Sequence, residues 1–202
     1  HLVYDLYPET LVQAGIIRAG GMAERILGRI VRDTFRRSAA NVMLGARLAE
    51  HVRRRHGEAA SPPERLRIIP VGAVAVRGPE DDAEDSPPTT SRGPQDRGEE
   101  AKVAILYCGN MGHLHDVETV AQYLKGTEDD GVDWRFQATG AGYERFKAEL
   151  GNPRRSGLHL GASLGDEEWA AAMRSAAVAL VTMREGAEKI LMPSKTYSAL
   201  RA

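Results

Sequence analysis

The chain has 202 residues and a formal net charge of −1, and 42% of its residues are hydrophobic. This length allows one large domain or two small ones, and the near-neutral charge argues against a nucleic-acid partner. The single cysteine, Cys108, excludes a disulfide framework and a cysteine-based zinc site. No stretch approaches the roughly 18 apolar residues of a membrane span, and no signal peptide is visible. We therefore expect a cytoplasmic protein, and the first residue, His1, predicts that it begins inside a longer one.

Charge is distributed unevenly along the chain. Residues 1–57 contain ten Lys and Arg against five Asp and Glu, whereas residues 78–100 contain two against eight. The acidic stretch is rich in Pro, Gly and Ser and has almost no apolar side chain, so it cannot bury enough surface to offset the entropy of ordering. We predict a disordered acidic linker over residues 77–100, between a first domain at 1–76 and a second at 101–202.

Before the linker, the pattern predicts helices and short strands. Apolar residues recur four apart between Met22 and Phe35, which predicts one broad apolar stripe on a helix of about five turns. A second helix ends in basic residues just before Gly57, and these complement the negative end of the helix dipole. Strands are predicted at 41–44 and 65–74.

After the linker, strands and helices alternate regularly. Strands are predicted at 102–107, 132–139, 157–160 and 177–183, and helices at 116–126, 143–150, 166–176 and 194–202. Because the strands are continuous apolar runs, the pattern predicts an α/β fold with a parallel sheet covered on both faces. In such sheets, ligands bind beyond the carboxyl ends of the strands. We therefore expect the functional residues in the loops that follow strands.

The loop after the first of these strands has features of an anion site. Gly109 and Gly112 stand between a buried strand and a helix, where backbone N–H groups can approach a ligand without obstruction by a Cβ atom. The start of the next helix favours a phosphate, and Asn110 adds a short polar side chain. Asp116 is predicted to cap this helix. His113 and His115 are two residues apart, which would place them on different faces of a helix, and the loop has no third histidine. We therefore do not expect a metal site here.

The loop after the second strand contains Gly140 and Gly142, a pattern also found in dinucleotide-binding loops. The third glycine of that pattern is replaced by Arg145, and the pattern normally follows the first strand of a domain. We therefore favour a tight strand-to-helix turn.

The segment at the end of the fourth strand and beyond it, from Thr182 to Lys195, is too long for a simple connection. Ser194 is placed to cap the last helix. Lys195 in the first turn is unfavourable for the helix, because the positive end of the dipole repels a cation. A bound anion would remove this conflict, so we predict an anionic ligand here; the alternative is a solvated lysine that points away.

Three motifs in this order resemble a known family: YCGNMGHLHDVETV, FQATGAGYERFKAEL and MPSKTYSALRA. They are similar to the C-terminal nucleotide-sugar domain of GT-B glycosyltransferases of family 4, in the branch that builds bacterial surface polysaccharides and O-antigens. The segments VYDLYPETLVQAG, ANVMLGARLAEHVRRRHG and RLRIIPVGA agree with the first domain of that branch. The resemblance implies two Rossmann-like domains with parallel sheets. This chain would hold the end of the first and most of the second, truncated at both ends.

The resemblance also implies a function. The expected activity is that of a retaining hexosyl- or N-acetylhexosaminyltransferase, which moves a sugar from a nucleotide-diphosphate sugar, most simply a UDP-sugar, to a glycan or lipid-linked acceptor. The residues implied to bind the donor are Gly109, Asn110, Met111, Gly112, His115, Arg184, Glu188, Ser194 and Lys195. Asp5 and Glu9 are implied on the acceptor side, with helix capping by one of them as the alternative. No cofactor or metal is implied, because cationic side chains and helix dipoles neutralise the leaving diphosphate.

Two features leave alternatives open. Ser198 stands where many members of the family have a glutamate that binds the ribose, so the ribose contact is unassigned. The basic, amphipathic first segment predicts a peripheral contact with the inner face of the membrane. The other functions consistent with the sequence are a UDP-sugar 2-epimerase of the same fold, and a non-catalytic chain that at most binds nucleotide.

Overall fold

The computed structural model describes residues 1–58, 61–70, 102–153 and 155–201. These residues form two compact units that do not follow chain order. The first unit consists of the described residues within His1–Gly72, Gly112–Asp116 and Thr182–Tyr197, and the remaining described residues form the second. The linker predicted at 77–100 lies outside the described residues, so the domain boundary stays a prediction. No helix in the described part of the chain has the length and hydrophobicity needed to cross a membrane.

The first unit contains a three-stranded parallel sheet in the order β1-β2-β3. Its strands are β1 (Leu2–Val3), β2 (Asn41–Met43) and β3 (Leu66–Ile68), and its helices are α1 (Glu9–Gln13), α2 (Met22–Arg37) and α3 (Ala46–His56). Short 3₁₀ helices span Pro63–Arg65 and Ala187–Lys189. The helices predicted on either side of β2 are therefore confirmed. Because β1 and α1 are too short to produce a hydrophobic period, the sequence did not predict them.

The apolar residues of α2 lie on two faces of the helix. Phe35 is fully buried and Val31 packs against the same core, whereas Met22, Ile26 and Ile30 are 78%, 54% and 56% exposed. The prediction of one broad stripe is therefore wrong. The exposed row begins at Met22, and the row that contains Val31 and Phe35 begins five residues later, at Leu27. This spacing offsets the two rows by about 140° around the helix axis. Only one row can face the core of this unit.

The second unit contains a four-stranded parallel sheet in the order β6-β5-β4-β7. Its strands are β4 (Val103–Asn110), β5 (Val132–Thr139), β6 (Leu158–Gly161) and β7 (Val178–Ala179), and its helices are α4 (Glu118–Gly126), α5 (Ala141–Leu150) and α6 (Asp166–Ser175). The chain then enters a final helix, α7 (Ser194–Arg201). The predicted α/β fold with parallel sheets is confirmed. Numbered within this sheet, the strands run 3-2-1-4, which is the order of the first four strands of a Rossmann fold.

The core of the second unit is rich in aromatic side chains. Tyr107, Phe136 and Phe146 are fully buried, and the rings of Phe136 and Phe146 pack with centroids 4.6 Å apart. Cys108 is a buried cysteine on strand β4. β7 is much shorter than the predicted strand at 177–183, because the chain leaves this sheet after Leu180, whose N–H donates to Leu106 O at 2.8 Å.

Candidate functional site

The loops that follow β4 and β7 contact each other within the first unit. The backbone N–H of Arg184 donates to Leu114 O at 2.8 Å. The side chain of Leu114 is 5% exposed and belongs to the core of this unit, and Met183 packs against the same core. β4 and β7 are neighbours at the point where the strand order reverses, which is where open α/β sheets bind their ligands.

His115 makes a second link between these loops. Its side chain is buried, and its Nδ1 lies 2.8 Å from Thr182 O. Because a carbonyl oxygen can only accept a hydrogen bond, Nδ1 carries the proton in this arrangement. This hydrogen bond fixes the orientation of the imidazole ring within the protein.

The first residues of the β4 loop belong to the second unit. Gly109 has a φ of +107°, which favours glycine, and the hydroxyl of Tyr107 donates to Asn110 O at 3.1 Å. Burial raises the pKa of Tyr107, so the hydroxyl remains a donor. The side chain of Met111 is 2% exposed in the core, and its N–H donates to Thr139 O at 2.7 Å. Met111 therefore anchors the loop, while Asn110 is exposed.

The turn at Gly140 packs closely against this loop. Gly140 has a φ of +103°, and a Cβ atom there would lie 2.3 Å from Asn110 Oδ1 and 2.8 Å from Met111 O. The N–H of Tyr143 donates back to Gly140 O at 2.9 Å. These contacts describe the tight strand-to-helix turn that the sequence favoured over a dinucleotide loop.

The two helix starts in this region differ from expectation. Asp116 was predicted to cap the following helix, but α4 begins at Glu118, is preceded by Val117 and has no side-chain cap. The side chain of Val117 is 1% exposed, so core packing decides where this helix begins. α7 begins at Ser194 itself, so Ser194 and Lys195 both lie in its first turn, Ser194 exposed and Lys195 half-buried.

Asp5 lies beside the segment that leads into α7. It forms an antiparallel bridge with Leu191, and the N–H of Leu6 donates to Ile190 O at 3.3 Å. Burial raises the pKa of the Asp5 carboxyl. The structure therefore brings Asp5 and the 3₁₀ helix that carries Glu188 into one region of the first unit.

Glu9 lines a cavity of about 490 Å³ in the first unit. The cavity is lined by Glu9, Val12, Gln13, Glu24, His51, Arg55, Gly186, Lys189 and Ile190. The Glu9 side chain is 12% exposed, with Oε1 3.3 Å from Arg55 Nε, and its Oε2 is buried without a hydrogen-bond partner. Gln13, which also lines the cavity, donates from Nε2 to Glu185 O at 2.7 Å. A concave site with a buried, unsatisfied carboxylate oxygen is suited to a ligand that donates hydrogen bonds.

Sequence reasoning missed five polar residues of this cavity: Gln13, Glu24, His51, Arg55 and Lys189. They come from elements that are far apart in the chain, so no local motif contains them. The basic run at the end of α3 was the one available signal, and it fits an ordinary helix terminus equally well. In the described part of the chain, no three His, Cys, Asp or Glu side chains are grouped to hold a metal ion.

The parallel sheets, the strand order and the polar loops at one sheet edge define an α/β chain of Rossmann-like architecture. Over 201 residues this chain is 25% identical to a Pseudomonas aeruginosa protein named "Probable glycosyltransferase WbjE". The similarity covers 100% of this chain and 48% of that protein, so the chain spans about half the length of the curated relative it matches. No protein-family model matches the chain. The similarity supports a role in glycosyl transfer, and the fold is consistent with it.

Proposed function

We propose that this chain acts in a retaining GT-B glycosyltransferase of family 4. The enzyme moves a sugar from a nucleotide-diphosphate sugar, a UDP-sugar in the simplest case, to a glycan or lipid-linked acceptor in the synthesis of a cell-surface polysaccharide. The reaction takes place on the cytoplasmic side, without a metal or other cofactor, and with the enzyme in peripheral contact with the inner face of the membrane.

The observation that carries the proposal is the meeting of two loops at the strand-order reversal. The loops after β4 and β7 are joined by the hydrogen bonds of Arg184 to Leu114 and of His115 to Thr182. The polar residues expected to bind the donor are on these loops, and the similarity to a named glycosyltransferase covers them.

Charge supports a diphosphate as the ligand of these loops. Lys195 lies in the first turn of α7, where the helix dipole already supplies positive charge. Arg184 and the backbone N–H groups near Gly112 add further donors for an anion. In the proposed reaction these groups stabilise the negative charge that develops on the leaving nucleotide.

The acceptor is proposed to bind beside Asp5 and in the cavity that contains Glu9. The orphaned Oε2 of Glu9 would accept a hydrogen bond from an acceptor hydroxyl, and Lys189 lines the same cavity. Arg55 pairs with the other oxygen of Glu9, which orients this carboxylate.

The test of the donor site is isothermal titration of the full chain with UDP, repeated on Lys195→Ala. Loss of one charge-assisted contact to the diphosphate should weaken binding about tenfold or more, since such contacts contribute ~1.5–3 kcal/mol. Lys125→Ala is the matched control, because Lys125 makes a surface ion pair with Glu149 at 2.7 Å on another face. Its affinity for UDP should equal that of the wild type.

Absence of UDP binding by a wild-type chain that still unfolds cooperatively would contradict the UDP site. Binding that Lys195→Ala and Lys125→Ala weaken equally would contradict the assignment of Lys195 and leave only a general effect of charge. If UDP binds but a full-length protein containing this chain transfers no sugar, the non-catalytic alternative gains support.

A further inference from the structure

A second cavity, of about 340 Å³, opens between α2 and α3 in the first unit. It is lined by Glu24, Arg25, Gly28, Arg29, Arg32, Arg55 and His56. Arginine thus supplies most of the lining side chains, and the acidic lining comes from Glu24. The volume lies at the lower end of the roughly 300–1,000 Å³ that is usual for ligand sites.

The positive charge of this cavity is not neutralised within the described chain. Arg55 is paired with Glu24 and with Glu9. Among the described residues, no acidic side chain lies within ion-pair distance of the other three arginines, which are Arg25, Arg29 and Arg32. Since the carboxylate of Glu24 is already engaged, the cavity presents three guanidinium groups whose charge is unmatched.

The local sequence of α2 is unfavourable for helix stability at this point. Arg25, Arg29 and Arg32 are four and three residues apart, so like charges lie side by side on one face and repel. Gly28, among them, is a poor helix former. A Cβ atom at Gly28 would meet nothing within 4 Å, so close packing does not require glycine there. Deviations from local helix rules of this kind are expected where a ligand binds.

His56 provides an independent indication from the other helix. Its side chain is 1% exposed and lines the same cavity, yet neither ring nitrogen has a hydrogen-bond partner among the described residues. Glu9 Oε1 is 3.9 Å from Nε2, which is beyond hydrogen-bond distance, and the Phe35 ring packs at 5.3 Å. Buried polar atoms normally have partners, so this imidazole indicates an incomplete site.

The chemistry of the lining selects phosphate among anions. A guanidinium group donates two parallel N–H bonds that match the oxygens of a phosphate, and several together match a multiply charged group. On the neighbouring face of α2, Met22, Ile26 and Ile30 form the exposed apolar row. An apolar row beside unpaired arginines is typical of helices that lie at the surface of an anionic membrane.

We propose that the cavity binds the phosphate or diphosphate group of a membrane lipid, with the apolar row of α2 in contact with the acyl boundary. Under the proposed function, on which this assignment of the ligand rests, that lipid carries the acceptor glycan. The cavity would then hold the charged link between lipid and glycan.

The first test is titration of the full chain with inorganic pyrophosphate. The wild type should bind saturably, and Arg29→Gln combined with Arg32→Gln should weaken binding at least tenfold. Arg36→Gln is the control, because it removes a positive charge from the same helix outside the cavity and should change affinity less than twofold. Equal weakening by the double variant and by Arg36→Gln would overturn the proposal, as would the absence of pyrophosphate binding.

Gly28→Gln separates binding from folding. Glutamine is a better helix former than glycine, so the variant should have an unchanged or higher Tm. Its side chain would occupy the cavity, and pyrophosphate affinity should fall at least tenfold. A variant that is stable and still binds pyrophosphate like the wild type would contradict the assigned cavity.

Vesicles distinguish a lipid phosphate from a free one. The chain should co-sediment with phosphatidylcholine vesicles that contain phosphatidic acid and not with phosphatidylcholine alone. Ile26→Ser combined with Ile30→Ser should abolish co-sedimentation while pyrophosphate affinity is retained. Pyrophosphate binding without co-sedimentation would overturn the lipid as the source. Lys195→Ala should weaken UDP binding by the same factor in the wild type and in the Arg29→Gln, Arg32→Gln double variant. The proposed UDP site and the proposed lipid-phosphate cavity can therefore fail independently of each other.

Discussion

In the second unit, a buried arginine is paired with a carboxylate and a backbone carbonyl. The side chain of Arg155 has no exposed surface, pairs with Asp130 and donates to Thr127 O at 2.8 Å. Asp130 also accepts from the indole N–H of Trp134 at 3.1 Å and from the Tyr123 hydroxyl at 2.9 Å. Both Nη atoms of Arg155 and both oxygens of Asp130 have partners, whereas Arg155 Nε is buried without one. The paired charges of this network stabilise the unit.

In the first unit, arginines of α2 line a cavity without such partners. Glu24 is taken by Arg55, and the buried imidazole of His56 has no hydrogen bond among the described residues. The comparison teaches that residue type does not reveal role. The arginine paired with a carboxylate and a carbonyl has a structural role, whereas the arginines gathered on one face of α2 without acidic partners are the ones proposed to bind an anion.

The largest change in the free energy of unfolding is expected when the ion pair of Arg155 is broken. Arg155→Ala removes one partner of a buried ion pair and leaves Asp130 without its cation, which should lower the free energy of unfolding by about 3 kcal/mol. Arg29→Ala in the first unit should change it by less than ~0.5 kcal/mol, because no ion pair is lost. Urea unfolding of both variants measures the difference. Similar values for the two would show that the contrast between the units is not energetic.

Substitution of two glycines should change stability by intermediate amounts, and the two changes should have opposite signs. Gly140→Ala introduces a Cβ atom 2.3 Å from Asn110 Oδ1 at a φ of +103°, so we expect a loss of ~2 kcal/mol or more. Gly28→Ala replaces a helical glycine in open space and should raise stability by ~1 kcal/mol. Thermal unfolding compares them under one condition. A destabilised Gly28→Ala would mean that the cavity of α2 is closed in solution.

The smallest effect concerns the pH dependence of stability. Burial lowers the pKa of His56 from its ordinary 6.5, the Glu9 carboxylate raises it, and Arg32, Arg55 and His51 lower it further. The unfolded chain therefore takes up this proton at a higher pH than the folded chain. The contribution to stability is complete above about pH 7 and is lost as the pH falls through 6.5 towards the folded pKa.

His56→Gln removes this titration, and the decline in unfolding free energy below pH 7 should become shallower. His159→Gln is the control, because it removes an exposed histidine of the second unit and leaves His56 in place. Saturating pyrophosphate should also make the decline in unfolding free energy below pH 7 shallower in the wild type, because an anion beside His56 favours the protonated ring. An unchanged slope in His56→Gln would show that the buried imidazole does not titrate in this range.

Much of the fold was predictable because its signals are local. The run that became β4 is apolar, and the run that became β5 alternates apolar and polar residues between Gly131 and Gly140. The helix between them, α4, has apolar residues at helical spacing. The observed α2 and α3 also agree with the predicted helices. β7 was predicted too long, because hydrophobicity alone does not show where a chain leaves one sheet and joins another core.

The candidate site was predictable only in part. Its loops were identified because they follow strands and contain glycine, and the contact of Arg184 with Leu114 agrees with that placement. The capping by Asp116 failed because the buried Val117 decides where α4 begins. The cavity around Glu9 could not be predicted, since its lining residues come from helices and loops that are remote in the chain.

The sequence by itself determined the α/β class, the alternation of strands and helices and the polar loops, because each depends on neighbours within a few residues. Tertiary structure decided which apolar row of α2 is buried, which arginines find carboxylates and which loops touch. Those outcomes depend on pairings between residues dozens of positions apart, and a single sequence does not encode them in any local pattern. The arginine-lined cavity beside α2 is therefore a property of the folded chain.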